Sequence, residues 1–168
     1  RGTLLEELGR SALERLLPGA TTHASFDYFV PASEHEAEAG PTSYTKRVEG
    51  DILLVVDDVA VIVEAKAVAI SPESRAGQTR RLRRDLTGIV TKASEQAARL
   101  QQRIEQDGGV RLRDVGWFDL AHIREIHTIA LSLEDLSGVA TATSDLVLAG
   151  LLDAGHIPWV VSIHDLQV

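Results

Sequence analysis

The sequence contains no cysteine and no methionine among its 168 residues. Without thiols there is no disulfide framework, no thiolate zinc site and no cysteine nucleophile, a composition that suits the cytoplasm. No apolar run approaches the roughly 18 residues that a membrane span requires, and no signal peptide is visible. The six histidines are scattered without zinc-ligand spacing. His35-Glu36 does not extend to a zinc-protease helix, because Ala39 stands where the second histidine is needed. Ser43-x-x-Lys46 matches a penicillin-binding motif in spacing alone. A Gly-rich phosphate loop and internal repeats are missing as well. The chain begins at Arg1, so we expect a piece of a longer chain that can carry further domains.

What is there fits one α/β domain over residues 1–168: 44% hydrophobic and 25% charged residues are ordinary for a globular protein. A net charge of −8 excludes a protein that coats nucleic acid by bulk attraction, although a local basic surface is compatible with it.

The most informative stretch is Val48 to Ala67. Two β-branched and aliphatic runs, Ile52–Val56 and Val59–Val63, flank Asp57-Asp58 and predict a β-hairpin. If the two aspartates form the loop, Val56 faces Val59, and counting outward sets Asp51 opposite Glu64 and Glu49 opposite Lys66. Alternation along the strands then places Asp51, Leu53 and Val55 on one face with Ala60, Ile62, Glu64 and Lys66. Two carboxylates about 5 Å apart repel by roughly 3 kcal/mol at an effective dielectric near 20. A divalent cation would turn that repulsion into coordination. The competing reading is a buried hairpin with solvated charged ends, in which Lys66 and Glu64 are a surface ion pair.

Gly50-Asp51, an apolar strand spacer and Glu64-Ala65-Lys66 together resemble the PD-(D/E)xK signature of the restriction-endonuclease-like nuclease superfamily, with Gly50 in place of the proline. The resemblance implies a core of order αβββαβ, a mixed central sheet flanked by helices, and metal-dependent hydrolysis of phosphodiester bonds, most readily in DNA. It implies that Asp51, Glu64 and the Ala65 carbonyl hold Mg2+ or Mn2+ and that Lys66 positions or activates the attacking water. An alternative keeps the fold without the chemistry: a domain that binds nucleic acid or a partner protein.

Leu4 to Leu17 predicts an amphipathic helix with Leu5, Leu8, Ala12 and Leu16 on one stripe, ended by Pro18-Gly19. Glu6 sits at the margin of that stripe. The resemblance implies that it reaches the metal site or its waters from the Gly2-x-x-Leu-Leu-Glu6 run; the other reading is an acid favoured at a helix start. His23 to Val30 alternates imperfectly and predicts the first strand, and Pro31 to Pro41 reads as a loop. Ser71 to Asp85 reads as a loop bearing Arg75, Arg80, Arg81, Arg83 and Arg84. Either it contacts phosphates, which arginine forks suit, or it is a solvated linker.

Ile89 to Gln106 predicts a helix that buries Ile89, Ala93, Ala97, Leu100 and Ile104. Lys92, Gln96, Arg99 and Arg103 form a polar row beside that stripe. The resemblance implies that such a helix lends a polar residue to the active site, with Gln96 the first candidate and Lys92 the second; in one branch of the family a tyrosine follows the glutamine by four residues, where this chain has Leu100. The rival reading is a solvated helix face. Gly108 to Asp119 reads as a connector whose Trp117-Phe118 pack, and Glu125 to Leu133 as a strand buried on both faces. Ser144-Asp145 starts a third helix that Gly155 ends. Pro158 to Ile163 is a final strand, and Ser162-x-x-Asp165 signals the start of another helix.

Overall fold

Residues 4–67, 69–136 and 143–167 are described by a computed structural model of the chain. Among these residues the strands form one seven-stranded mixed sheet, in an α/β arrangement, of order β5-β4-β1-β2-β3-β6-β7. The strands are β1 (Thr21–Val30), β2 (Lys46–Val56), β3 (Val59–Lys66), β4 (Gly109–Leu112), β5 (Gly116–Asp119), β6 (Glu125–Ser132) and β7 (Trp159–Ser162). The pairs from β5 to β3 are antiparallel, whereas β3, β6 and β7 run parallel.

The β2–β3 hairpin has the expected register, from Val56↔Val59 to Ile52↔Val63. Asp57 takes φ +50 in its turn, a left-handed conformation that aspartate tolerates better than most residues. Because β3 is central, with β2 on one side and β6 on the other, both its faces are covered, and Ala60, Ile62 and Val63 are fully buried.

Helix α1 (Leu4–Leu16) packs on one face of the sheet. Its buried side is Leu5, Glu6, Gly9, Ala12 and Leu13, so the inward stripe is rotated from the expected one: Leu16 is exposed, and Gly9 lets the helix approach Leu131 closely. Gly2 lies outside the described residues.

The opposite face carries the helical stretch from Thr79 to Asp107. Helix α4 (Thr79–Leu86) runs through a π turn (Thr87–Thr91) into α5 (Lys92–Asp107). All five residues of the expected stripe are buried, from Ile89 to Ile104. The arginine stretch is therefore helical and not a loop: α3 (Pro72–Arg75) precedes α4. Its few apolar residues, Leu82 and Leu86, pack into a side core with Ile89 and Val90.

Three further expectations are corrected. Residues 31–41 contain a helix, α2 (Glu34–Ala39), because Ser33 accepts a hydrogen bond from the Glu36 N–H as its N-cap. The Gly108–Asp119 connector is the β4–β5 hairpin, which extends the sheet beside β1. The helix begun around Ser144 is α6 (Thr143–Leu148); it stops before Gly150, whose φ of +69 is left-handed, and not at Gly155. The capping signal at the end of the chain holds: Ser162 and Asp165 exchange side-chain-to-backbone hydrogen bonds at the start of α7 (Ile163–Gln167). No described helix is long and apolar enough to cross a membrane.

Candidate metal centre

The β2–β3 ladder ends at Ile52↔Val63, and the next level holds Asp51 and Glu64. There a side chain replaces a backbone partner: the Ala65 N–H donates to Asp51 Oδ2 at 2.7 Å. A strand residue points its N–H and C=O to the same side. The Ala65 carbonyl therefore opens toward the gap that Asp51 occupies.

Glu64 follows Ala60 and Ile62 onto the face under α5 and is 1% exposed. Its Oε2 has no hydrogen-bond partner among the described residues. Lys66 Nζ stands 3.8 Å away, its own side chain only 16% exposed. Burial pushes the Glu64 carboxyl up to about 9, the negative charge of Asp51 adding to the shift while Lys66 opposes it. Burial also raises Asp51, against the pull of the Ala65 N–H and Lys66. Both carboxyls are raised, so the metal-free pair resists carrying two negative charges at once.

These groups fit a hard divalent cation. The donors are two carboxylates and a backbone carbonyl, all oxygen, which suits magnesium or manganese. Among the described residues the buried Glu64 Oε2 accepts no hydrogen bond, and a cation could use that free acceptor. Among the described residues no cluster of three or more His, Cys, Asp or Glu side chains is gathered to hold a metal, so such a centre depends on Asp51, Glu64 and the Ala65 carbonyl together.

Glu6 is buried on α1 and receives a 2.9 Å hydrogen bond from the Ser25 hydroxyl. With Ser25, Asp27, Glu49, Gly50 and Asp51 it lines a cleft of about 140 Å³, and its charge contributes to raising Asp51. Asp27 is held by ion pairs to Arg47 and Arg113. Glu49 is paired with Asp27 across β1–β2, not with Lys66. Gly50 has a packing reason, since a Cβ there would lie 2.5 Å from Phe26 Cζ.

Gln96 is half-buried at the margin of α5, and no hydrogen bond joins it to Asp51, Glu64 or Lys66. Lys92 is turned elsewhere: it lines a groove with Arg80, Arg83, Arg84, Asp85, Thr87 and Gly88. The Asp85 carboxylate accepts from the Ser74 hydroxyl and from the N–H and hydroxyl of Ser71, which hold it down to about 2, so it brings one negative charge to the four cations of this groove. Arg81 lies outside the groove lining, and Arg75 pairs with Glu134. Arg83 also donates to the Ala149 carbonyl.

Three residues near the centre escaped sequence reasoning. Ser25 left a signal, the imperfect alternation of the first strand. Tyr28 is buried in β1, and its phenol is pushed up by that burial, with the charge of Arg99 opposing and that of Glu64 adding. Arg99 belongs to the polar row of α5; what the sequence did not show is that its charge acts on the Tyr28 phenol. Comparison with protein-family models, curated proteins and solved structures gives no match for this chain.

Proposed function

We propose that the chain is a magnesium- or manganese-dependent nuclease of the PD-(D/E)xK, restriction-endonuclease-like kind, hydrolysing phosphodiester bonds in DNA in the cytoplasm. One observation carries the reading: a buried carboxyl oxygen of Glu64 without a hydrogen-bond partner among the described residues, beside Asp51 and 3.8 Å from the Lys66 ammonium. A structural ion pair would be expected to close to hydrogen-bond distance. The order α1, β1, the β2–β3 hairpin, α5 and β6, with β6 parallel to β3, supports the αβββαβ core.

Asp51, Glu64 and the Ala65 carbonyl would hold the metal. When bound, it supplies Lewis-acid stabilisation of charge on the phosphate and lowers the pKa of water. Asp51 is oriented by the Ala65 N–H. Lys66 would orient the attacking water, or deprotonate it as the free amine, and as the ammonium would offset the carboxylate charge. Glu6 supplies a second acid in the adjoining cleft, and Gln96 stands ready at the margin of α5. Arg80, Arg83, Arg84 and Lys92 offer phosphates a basic groove on the helical side of the sheet, with Arg81 beside it.

A second reading draws on the small number of gathered carboxylates: a domain of this fold that binds nucleic acid or a partner without cutting. Incubating the protein with plasmid, linear duplex and single-stranded DNA in Mg2+, Mn2+ or EDTA separates the two. Cleavage that EDTA abolishes supports the nuclease; binding with no cleavage in either metal supports the alternative.

A further inference from the structure

We propose that Ser25 is a positioning residue, whose left-handed backbone and hydroxyl hold Asp51 between Glu64 and the cleft that Glu6 lines. This inference rests on reading Asp51 and Glu64 as metal ligands.

The observation is a coordinated irregularity in two strands. The β1–β2 ladder pairs Ala24 with Ile52 and Phe26 with Gly50, while the residues between, Ser25 and Asp51, drop out of it. Ser25 has φ +48, a conformation that few non-glycine residues adopt and that persists only when the surroundings hold it.

At this level both strands exchange their faces. Residues an odd number apart should point to opposite sides of a regular strand. Yet His23, stacked at 4.7 Å on Phe118, shares the α5 side with Phe26, three residues on. In β2, Leu53 and Val48 share that side although they are five apart.

The reversal serves the centre. Regular alternation from Leu53 would turn Asp51 wholly toward α5, away from α1. At the crossover Asp51 instead lines the cleft with Glu6, which belongs to the α1 side, while its carboxylate accepts the Ala65 N–H next to Glu64. One acid thus bridges two groups that the sheet would otherwise separate. The Ser25 hydroxyl donates to Glu6 Oε2 at 2.9 Å and so ties Glu6 to the same stretch of β1.

Two variants of the full chain test this. Ser25→Val places a β-branched residue where φ is positive and should force the strand back to regular alternation; Ser25→Gly permits the same backbone and removes the hydroxymethyl side chain with its hydrogen bond. In EDTA, hydrogen exchange at the Ala65 amide should quicken in Ser25→Val and stay as in the wild type in Ser25→Gly. Mn2+ affinity should fall about tenfold or more in Ser25→Val, the usual effect of removing a residue that orients a metal ligand, and by less in Ser25→Gly. If Ser25→Val does not fold, the smaller β-branched Ser25→Thr takes its place with the same expected directions. Wild-type Ala65 exchange and Mn2+ affinity in the bulky variant would overturn the proposal, and so would equal losses in both variants. A wild type that takes no Mn2+ would defeat the metal reading itself, while the amide exchange would still decide the role of Ser25.

Discussion

The Lys66 ammonium stands 3.8 Å from Glu64 Oε2, inside ion-pair range and beyond hydrogen-bond reach. Both side chains come from one strand, β3, two residues apart, so alternation holds them on the same face. A catalytic reading and a structural ion pair differ in what they require of this gap.

If the gap is catalytic, Asp51→Ala, Glu64→Ala and Lys66→Ala should each lower metal-dependent cleavage by about a hundredfold or more, the scale of losing acid–base or ligand function. Circular dichroism should show the same fold in all three. A single variant with near wild-type turnover would remove that residue from the site.

The basic groove predicts a binding effect without a chemical one. Each phosphate contact contributes about 0.9 to the slope of log affinity against log salt on duplex DNA. Replacing Arg80, Arg84 and Lys92 by serine should weaken binding and flatten that slope by about two to three. Arg81→Ser alone should change it little, since Arg81 is not in the groove lining. An unchanged slope in the triple variant would make the arginines a solvated helix face.

Much of this was legible in the sequence where one physical signal dominated. The hairpin register followed from two β-branched runs around Asp57-Asp58, and the buried stripe of α5 from its 3.6-residue spacing. The inward turn of Glu6 was visible as an acid at an apolar margin. Helix α4 was not, because six of its eight residues are polar or charged, and tertiary packing of Leu82 and Leu86 overrides the pattern. The β4–β5 hairpin was hidden by its four-residue strands, too short to display alternation. The exchange of faces at Ser25 showed only as imperfect alternation and could not be placed, since a left-handed serine carries no residue-type signal as glycine does.

Stability against pH should report the Glu64 carboxyl in metal-free protein. Its folded pKa, about 9, lies above the usual carboxylate value of 4.5, so between these limits the folded state binds more protons than the unfolded one. Stability must then fall as pH rises through that window, by at most about 1.4 kcal/mol per pH unit for one proton. Thermal melts in EDTA from pH 5 to 9 should show a declining Tm for the wild type and a flatter profile for Glu64→Gln. In Mg2+ the stabilisation should grow with pH, because coordination displaces the proton. Parallel profiles for the two proteins in EDTA would show that Glu64 is not the titrating group.

Asp51 allows charge and hydrogen bonding to be separated, because asparagine keeps an acceptor for the Ala65 N–H and alanine does not. Asp51 sits beside Glu64 and Glu6, and burial already penalises its charge. Removing that charge while retaining the 2.7 Å hydrogen bond should leave Asp51→Asn at least as stable as the wild type in EDTA. Asp51→Ala strands the Ala65 amide and should cost about 1–3 kcal/mol, the penalty of an unsatisfied buried donor. Adding Mn2+ should raise the Tm of the wild type according to RT ln(1 + [L]/Kd) and raise both variants much less. A purely structural Asp51 gives the opposite pattern. Its carboxylate would then be the preferred partner, both variants would be destabilised in any buffer, and Mn2+ would move none of the three proteins. Melts of the three proteins, each with and without Mn2+, therefore test the centre before any substrate is known.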